Sequence, residues 1–302
     1  GGVVKIGGRG EMGEAAPCFA VGGSGGGGGR GGGGIRFGKQ RRGVIYQPIG
    51  VSGSLGTTTI TNSGVVGTSG SSGLIFTIGG TGDGSGSSAG SISFANTSTG
   101  VINQPISVSN SQGMTSITNS GSLGTSGATP IFTIGGTGDG SGNGSGNISF
   151  TNVGTGRINQ PVTITDTRGN VSITNAPGGL IGINGASSPL PFLVINEKGD
   201  GSGSGSGNVS FSNLGTVYQS VLISNSGGSS TTVYNGGQLG SPTAPGGTPI
   251  FTIGGTGDGT GAGSGNISFS NAGSGVIFQP VLISNSGGST TVINNGTVGS
   301  SG

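Results

Sequence analysis

Residues 131–147 read Ile131-Phe132-Thr133-Ile134-Gly135-Gly136-Thr137-Gly138-Asp139-Gly140-Ser141-Gly142-Asn143-Gly144-Ser145-Gly146-Asn147, a short apolar stretch running into a tract with glycine at every second place. The same unit returns as IFTIGGTGDGSGSSAGS from Ile75 and as IFTIGGTGDGTGAGSGN from Ile250. A blurred copy, FLVINEKGDGSGSGSGN, starts at Phe192, and a more degenerate one, CFAVGGSGGGGGRGGGG, at Cys18. Landmarks outside the stretch keep the same beat. Gln47, Gln104, Gln160, Gln219 and Gln279 fall 56 to 60 residues apart, and all but Gln219 precede a proline. Asn62, Asn119, Asn175, Asn235 and Asn294 follow those glutamines by 15 or 16 residues. A period of this length is the mark of a repeat architecture. The chain divides into an N-terminal segment, 1–17, and five units at 18–74, 75–130, 131–191, 192–249 and 250–302.

Each unit holds four strand-like pieces in which apolar and small polar residues alternate, the pattern of half-buried strands. In the third unit they are Phe132 to Ile134, Ile148 to Phe150, Pro161 to Ile164 and Val171 to Asn175. Turn-forming Asn-Ser-Gly, Gly-Gly and Ala-Pro-Gly-Gly separate them. The expected fold is all-β: a solenoid-like stack of five four-stranded units of ~57 residues, with Ile and Phe ladders as a thin continuous core. A five-bladed β-propeller, one blade per unit, is the alternative.

Composition narrows the function. The chain has 302 residues, 78 of them glycine, no histidine, no tryptophan and one cysteine, with 6% charged residues. Collagen is excluded because glycine keeps no three-residue period. No run of 18 apolar residues codes a helical membrane span. Without histidine, a Ser-His-Asp triad and almost every zinc site are unavailable. Asp166, Glu197 and the repeat aspartates show no pairing in sequence suited to acid–base work, so no catalytic residues and no enzymatic activity are expected. Cys18, at the place of Ile75, Ile131 and Ile250, is expected to be a small buried hydrophobe.

Three sets of residues are candidates for other roles. Asp83, Asp139, Asp200 and Asp258 recur inside the glycine tracts, and Asp139, Ser141 and Asn143 followed by Gly144 imitate the first half of a calcium loop. The twelfth position is Phe150 rather than a bidentate Glu, so close packing is the preferred role of the tract and calcium the lesser one. Seven of the ten basic residues lie in the first 42 positions, whereas the remainder of the chain has three basic and six acidic residues. Arg30, Arg36, Lys39, Arg41 and Arg42 are therefore candidates for docking on the acidic body of a neighbouring copy. The same segment is similar to RNA-binding Arg/Gly tracts, but Ile35 and Phe37 hold core places of a strand there, and no nucleic-acid partner is expected. Asn147, Asn208 and Asn266 are sequons at one repeat position and are candidates for a row of glycans. The Thr-rich fourth strands, Thr57 to Thr61, Ser230 to Thr232 and Ser289 to Thr291, form a candidate face for ice or glycans.

Ile-Thr-Asn-Ser-Gly at Ile60 and Ile117, and Ile293-Asn-Asn-Gly-Thr-Val-Gly near the end, resemble the repeats of autotransporter passengers and filamentous-haemagglutinin-like adhesins. That resemblance, confined to the last strand of each unit, implies an extracellular β-solenoid acting as a surface stalk or adhesin. The expectation is a non-enzymatic extracellular structural protein, a subunit that assembles with its own copies head to tail into a filament or surface layer. An adhesin or ice- or glycan-binding module and a calcium-dependent repeat protein are the alternatives.

Overall fold

The computed structural model describes residues 3–5, 19–23, 35–39, 44–46, 48–53, 58–80, 91–110, 113–136, 147–166, 169–185, 191–197, 207–225, 230–243, 248–255, 265–285 and 288–299. Among these residues every regular element is a strand, and the strands form three sheets of 11, 10 and 10 members. One coil shows the path. Ile92–Asn96 lies in the first sheet, Val101–Ile102 in the second and Ile106–Asn110 in the third, and the chain then re-enters the first sheet at Thr115–Asn119. Each strand pairs in parallel with its equivalents one coil before and one coil after, so Phe94 stands between Ile60 and Ile117. The fold is a β-solenoid-like parallel stack. The propeller is excluded, because its blades are separate sheets set around a channel, whereas here each sheet runs on continuously through ten or eleven coils.

All four expected strands of the third unit are present, as Phe132–Gly136, Ile148–Asn152, Val162–Asp166 and Val171–Asn175. Two further strands, Arg157–Ile158 and Leu180–Ile181, complete the unit, which thus has six strands rather than four. A unit is two coils. Short coils of 22 or 23 residues alternate with long ones of 33 to 38, measured between equivalent asparagines. The long coils hold two extra segments: a loop between the second and third sheets, and the glycine tract between the third sheet and the next coil. Tract residues 81–90, 137–146, 198–206 and 256–264 fall outside the described residues, as does Cys18.

Alternation builds the core directly. In Ile92–Asn96 the first, third and fifth side chains are buried and the second and fourth partly exposed. Inward Ile, Leu and Val from all three sheets meet along the axis, including Ile102, Ile106, Ile117, Leu123 and Ile134. Phenylalanine comes from the first sheet in short coils and from the third sheet in long ones, so the rings zigzag along the stack. Phe76, Phe94, Phe132 and Phe150 meet edge to face at centroid separations of 6.1, 5.4 and 6.0 Å, a favoured aromatic geometry. The series resumes through Phe211, Phe251 and Phe269. Between the two runs Leu193 occupies the place of Phe132, and a small apolar void lined by Phe150, Ile173, Phe192 and Leu193 opens beside it.

Candidate functional site

The most regular polar feature is internal. Each five-residue strand of the first sheet from Thr58–Asn62 onward ends in asparagine, and these asparagines stack: Asn62, Asn96, Asn119, Asn152, Asn175, Asn213, Asn235, Asn271 and Asn294. Each side-chain Nδ2 donates to the Oδ1 of the next, over 2.8–2.9 Å at every step. All but Asn294 are buried. Aligned amides polarise one another, and each pairing spares a buried polar group the penalty of standing unsatisfied. The ladder also explains the glycine two to four residues after each asparagine. A side chain at Gly121 would collide with the carbonyls of Gly100 and Thr97, because the turn passes directly over the preceding coil.

A second device explains the glutamine landmarks. Gln104 Oε1 accepts from the Thr68 N–H at 2.9 Å, while its Nε2 donates to Ser71 Oγ at 2.7 Å and to the Gly73 carbonyl at 3.2 Å. The glutamine of a short coil thereby braces the extra loop of the long coil before it. Gln219 repeats the first of these bonds to the Ile183 N–H at 3.0 Å, and Gln160 Nε2 reaches the Thr129 carbonyl at 3.4 Å. Gly67, with φ of +82°, sits where only glycine fits both the turn and the overlying Gln104.

The outer faces are ranked by register. On the first sheet the outward residues run Thr59, Ser93, Ser116, Ser149, Ser172, Ser210, Thr232, Ser268 and Thr291 in one line. A parallel line holds Thr61, Thr118, Thr151 and Thr174, with Ala95, Tyr234 and Ile293 among them. Part of the expected threonine face turns the other way: Thr58 and Thr231 are core residues, each 1% exposed, as is the equivalent Thr115. A period of two sends neighbouring threonines to opposite sides of the sheet.

The other candidates are placed as follows. Asn147, Asn208 and Asn266 stand just before strands of the first sheet, in one row with Asn170. Asn147 Oδ1 accepts the Asn170 N–H at 2.7 Å, Asn170 Oδ1 the Asn208 N–H at 3.0 Å, and Asn266 Oδ1 the Ser289 N–H at 2.8 Å. Asp83, Asp139, Asp200 and Asp258 lie outside the described residues, as do Arg30, Arg41 and Arg42. Arg36 and Lys39 belong to the strand Ile35–Lys39, in register with Thr59 and Asn62. Asp166 and Glu197, far apart in sequence, become direct register partners in the third sheet. Among the described residues no three Asp, Glu, Cys or His residues gather as a metal site, and no helix is long and apolar enough to cross a membrane.

Comparison with family models, with curated proteins and with solved structures found no match to this chain. The solenoid that the adhesin resemblance implied is present; membership of those families has no support from the comparisons.

Sequence reasoning saw only every second member of the ladder. Asn96, Asn152, Asn213 and Asn271 end the second strand of each unit, in ISFAN, ISFTN, VSFSN and ISFSN. The signal was available as the shared final asparagine. Only the folding of one unit into two stacked coils makes the two asparagine series a single line.

Proposed function

We propose that this chain is a non-enzymatic extracellular structural protein, a self-assembling subunit of a filament or surface layer. The observation that carries the proposal is the use made of the repeated residues. The buried asparagines, the phenylalanine zigzag and the glutamine braces each bind one coil to the next. Such a one-dimensional stack gains from every added coil and has no intrinsic length. Copies joined head to tail form a heterologous, non-closing series. The basic residues Arg30, Arg36, Lys39, Arg41 and Arg42 would meet acidic groups of the neighbour in it.

Electron microscopy of the full chain at moderate salt tests the proposal. Regular filaments or sheets are expected, and R36E/R41E/R42E should impair them. Dispersed rods of one fixed length at every concentration would overturn it.

A second reading is favoured by one observation: the first sheet presents two lines of outward side chains, mostly hydroxyls, with no charged residue from Thr58–Asn62 to Thr290–Asn294. Such a face suits an adhesin or an ice- or glycan-binding module. Binding by a strictly monomeric form, lost in T232A/T291A, would favour it.

A further inference from the structure

The outer face of the third sheet presents a problem that the solenoid itself does not solve. Gly79, Gly135 and Gly254 sit inside strands at an outward place, where glycine weakens a strand. Their backbones need no glycine, since none has the positive φ that marks Gly67 or Gly124. Among the described residues their surroundings need none either. A Cβ at Gly79 would lie 3.8 Å from Ser109 Oγ, one at Gly135 3.6 Å from Thr165 Oγ1, and one at Gly254 3.6 Å from Ser284 Oγ, all ordinary contacts. Glycines of this kind mark a close approach by something else.

The register supplies the relief of the face. In one line across the third sheet stand Gly22, Ser52, Gly79, Ser109, Gly135, Thr165, Asn196, Ser224, Gly254 and Ser284. Hollow and ridge alternate coil by coil along Gly79, Ser109, Gly135 and Thr165, and again along Ser224, Gly254 and Ser284. The line beside it runs Thr77, Ser107, Thr133, Thr163, Val194, Leu222, Thr252 and Leu282; it has no charge, and Leu282 is 53% exposed. A relief with a two-coil period fits a second copy of itself shifted by one coil, ridges entering hollows. The eight strands from Phe76–Gly80 to Val281–Asn285 cover about 38 by 16 Å, so a pair buries roughly 1,200 Å² in total, above the ~1,000 Å² a specific interface needs.

We propose that this face is a lateral interface between two copies of the chain, the glycine coils of one receiving the serine and threonine coils of the other. It rests on the self-assembly reading and adds the surface through which single stacks associate side by side.

The test uses the full chain and the variant G79T/G135T/G254T. Threonine fills the hollows while suiting the strand, so the monomer should melt at a higher temperature than wild type, whereas side-by-side pairing in sedimentation and electron microscopy should require at least about tenfold more protein. A second variant, T133K/T163K, sets like charges against the partner's face and should also abolish pairing. The proposal is overturned if the triple variant pairs at the wild-type concentration. It is equally overturned if that variant melts lower, because the glycines would then serve the solenoid's own packing. Single-file filaments that both variants leave unchanged would sink the lateral interface and keep the assembly proposal. A wild-type chain that stays monomeric at every concentration would sink both.

Discussion

Asn152 shows what a single residue does in this stack. Its Nδ2 donates to Asn175 Oδ1 at 2.9 Å and to the Gly156 carbonyl at 3.0 Å, while its Oδ1 accepts from Asn119 at 2.8 Å. Asn152→Ala should leave Asn175 Oδ1 buried without that donor and lower stability by about 1–3 kcal/mol in urea unfolding. Asn294→Ala, at the exposed end of the ladder, should change it by well under about 1 kcal/mol. Equal losses would mean that the ladder bonds themselves contribute little. The glycines divide just as sharply. Gly121→Ala pushes a methyl group into the carbonyls of the preceding coil and should cost about 1–3 kcal/mol.

Among the elements, the strand Leu193–Glu197 departs most from its equivalents. Where Phe76–Gly80, Phe132–Gly136 and Phe251–Gly255 start with phenylalanine, it starts with leucine, and Phe192 stands one place early. The zigzag of rings is interrupted there and a void remains. The double variant F192I/L193F restores the common order and should raise stability by about 1 kcal/mol, read as a higher melting temperature. No change would show that the neighbours have already relaxed around the leucine. The extra loops after Val66, Leu123 and Ile181 are held differently, each by a glutamine of the next coil. Gln104→Ala removes the acceptor of the Thr68 N–H and both bonds of its Nε2. Amide exchange at Thr68 and Ser71 should accelerate while that of Ile106 and Val108 stays slow, because the loop lies outside the core stack.

At the scale of the molecule, stability is a sum over coils and their junctions. Removing residues 75–130 joins Leu74 to Ile131 and preserves the alternation of short and long coils, since the two copies share the sequence IFTIGG. The shortened chain should keep its far-ultraviolet dichroism per residue and melt as a folded protein. Removing one coil alone, residues 92–114, should cost more per residue, because it sets two long coils side by side and takes Phe94 from between Phe76 and Phe132. The stack should also be indifferent to mild changes in pH. Histidine is the side chain whose ordinary range lies near neutrality, and the chain has none. Urea midpoints at pH 6 and pH 8 should coincide; a clear difference would reveal a carboxylate or amine with a strongly shifted range.

The sequence alone determined the period, the all-β class and the place of the four longer strands of each unit, because a strand's two-residue alternation and the spacing of landmarks are local properties. It could not reveal the two-residue strands such as Val101–Ile102, which are too short to show a period. Nor could it show that one ~57-residue unit wraps twice around the axis. That depends on which strands pair, and parallel pairing joins residues 22 to 38 positions apart in the chain. Only the tertiary structure therefore turned two separate asparagine series into one ladder, sent Thr231 inward and Thr232 outward, set Asp166 in register with Glu197, and placed Gly79, Gly135 and Gly254 in one line on the outer side of the third sheet. Alternation is written in neighbouring residues, but register between coils is settled by burial and hydrogen bonding across the whole stack.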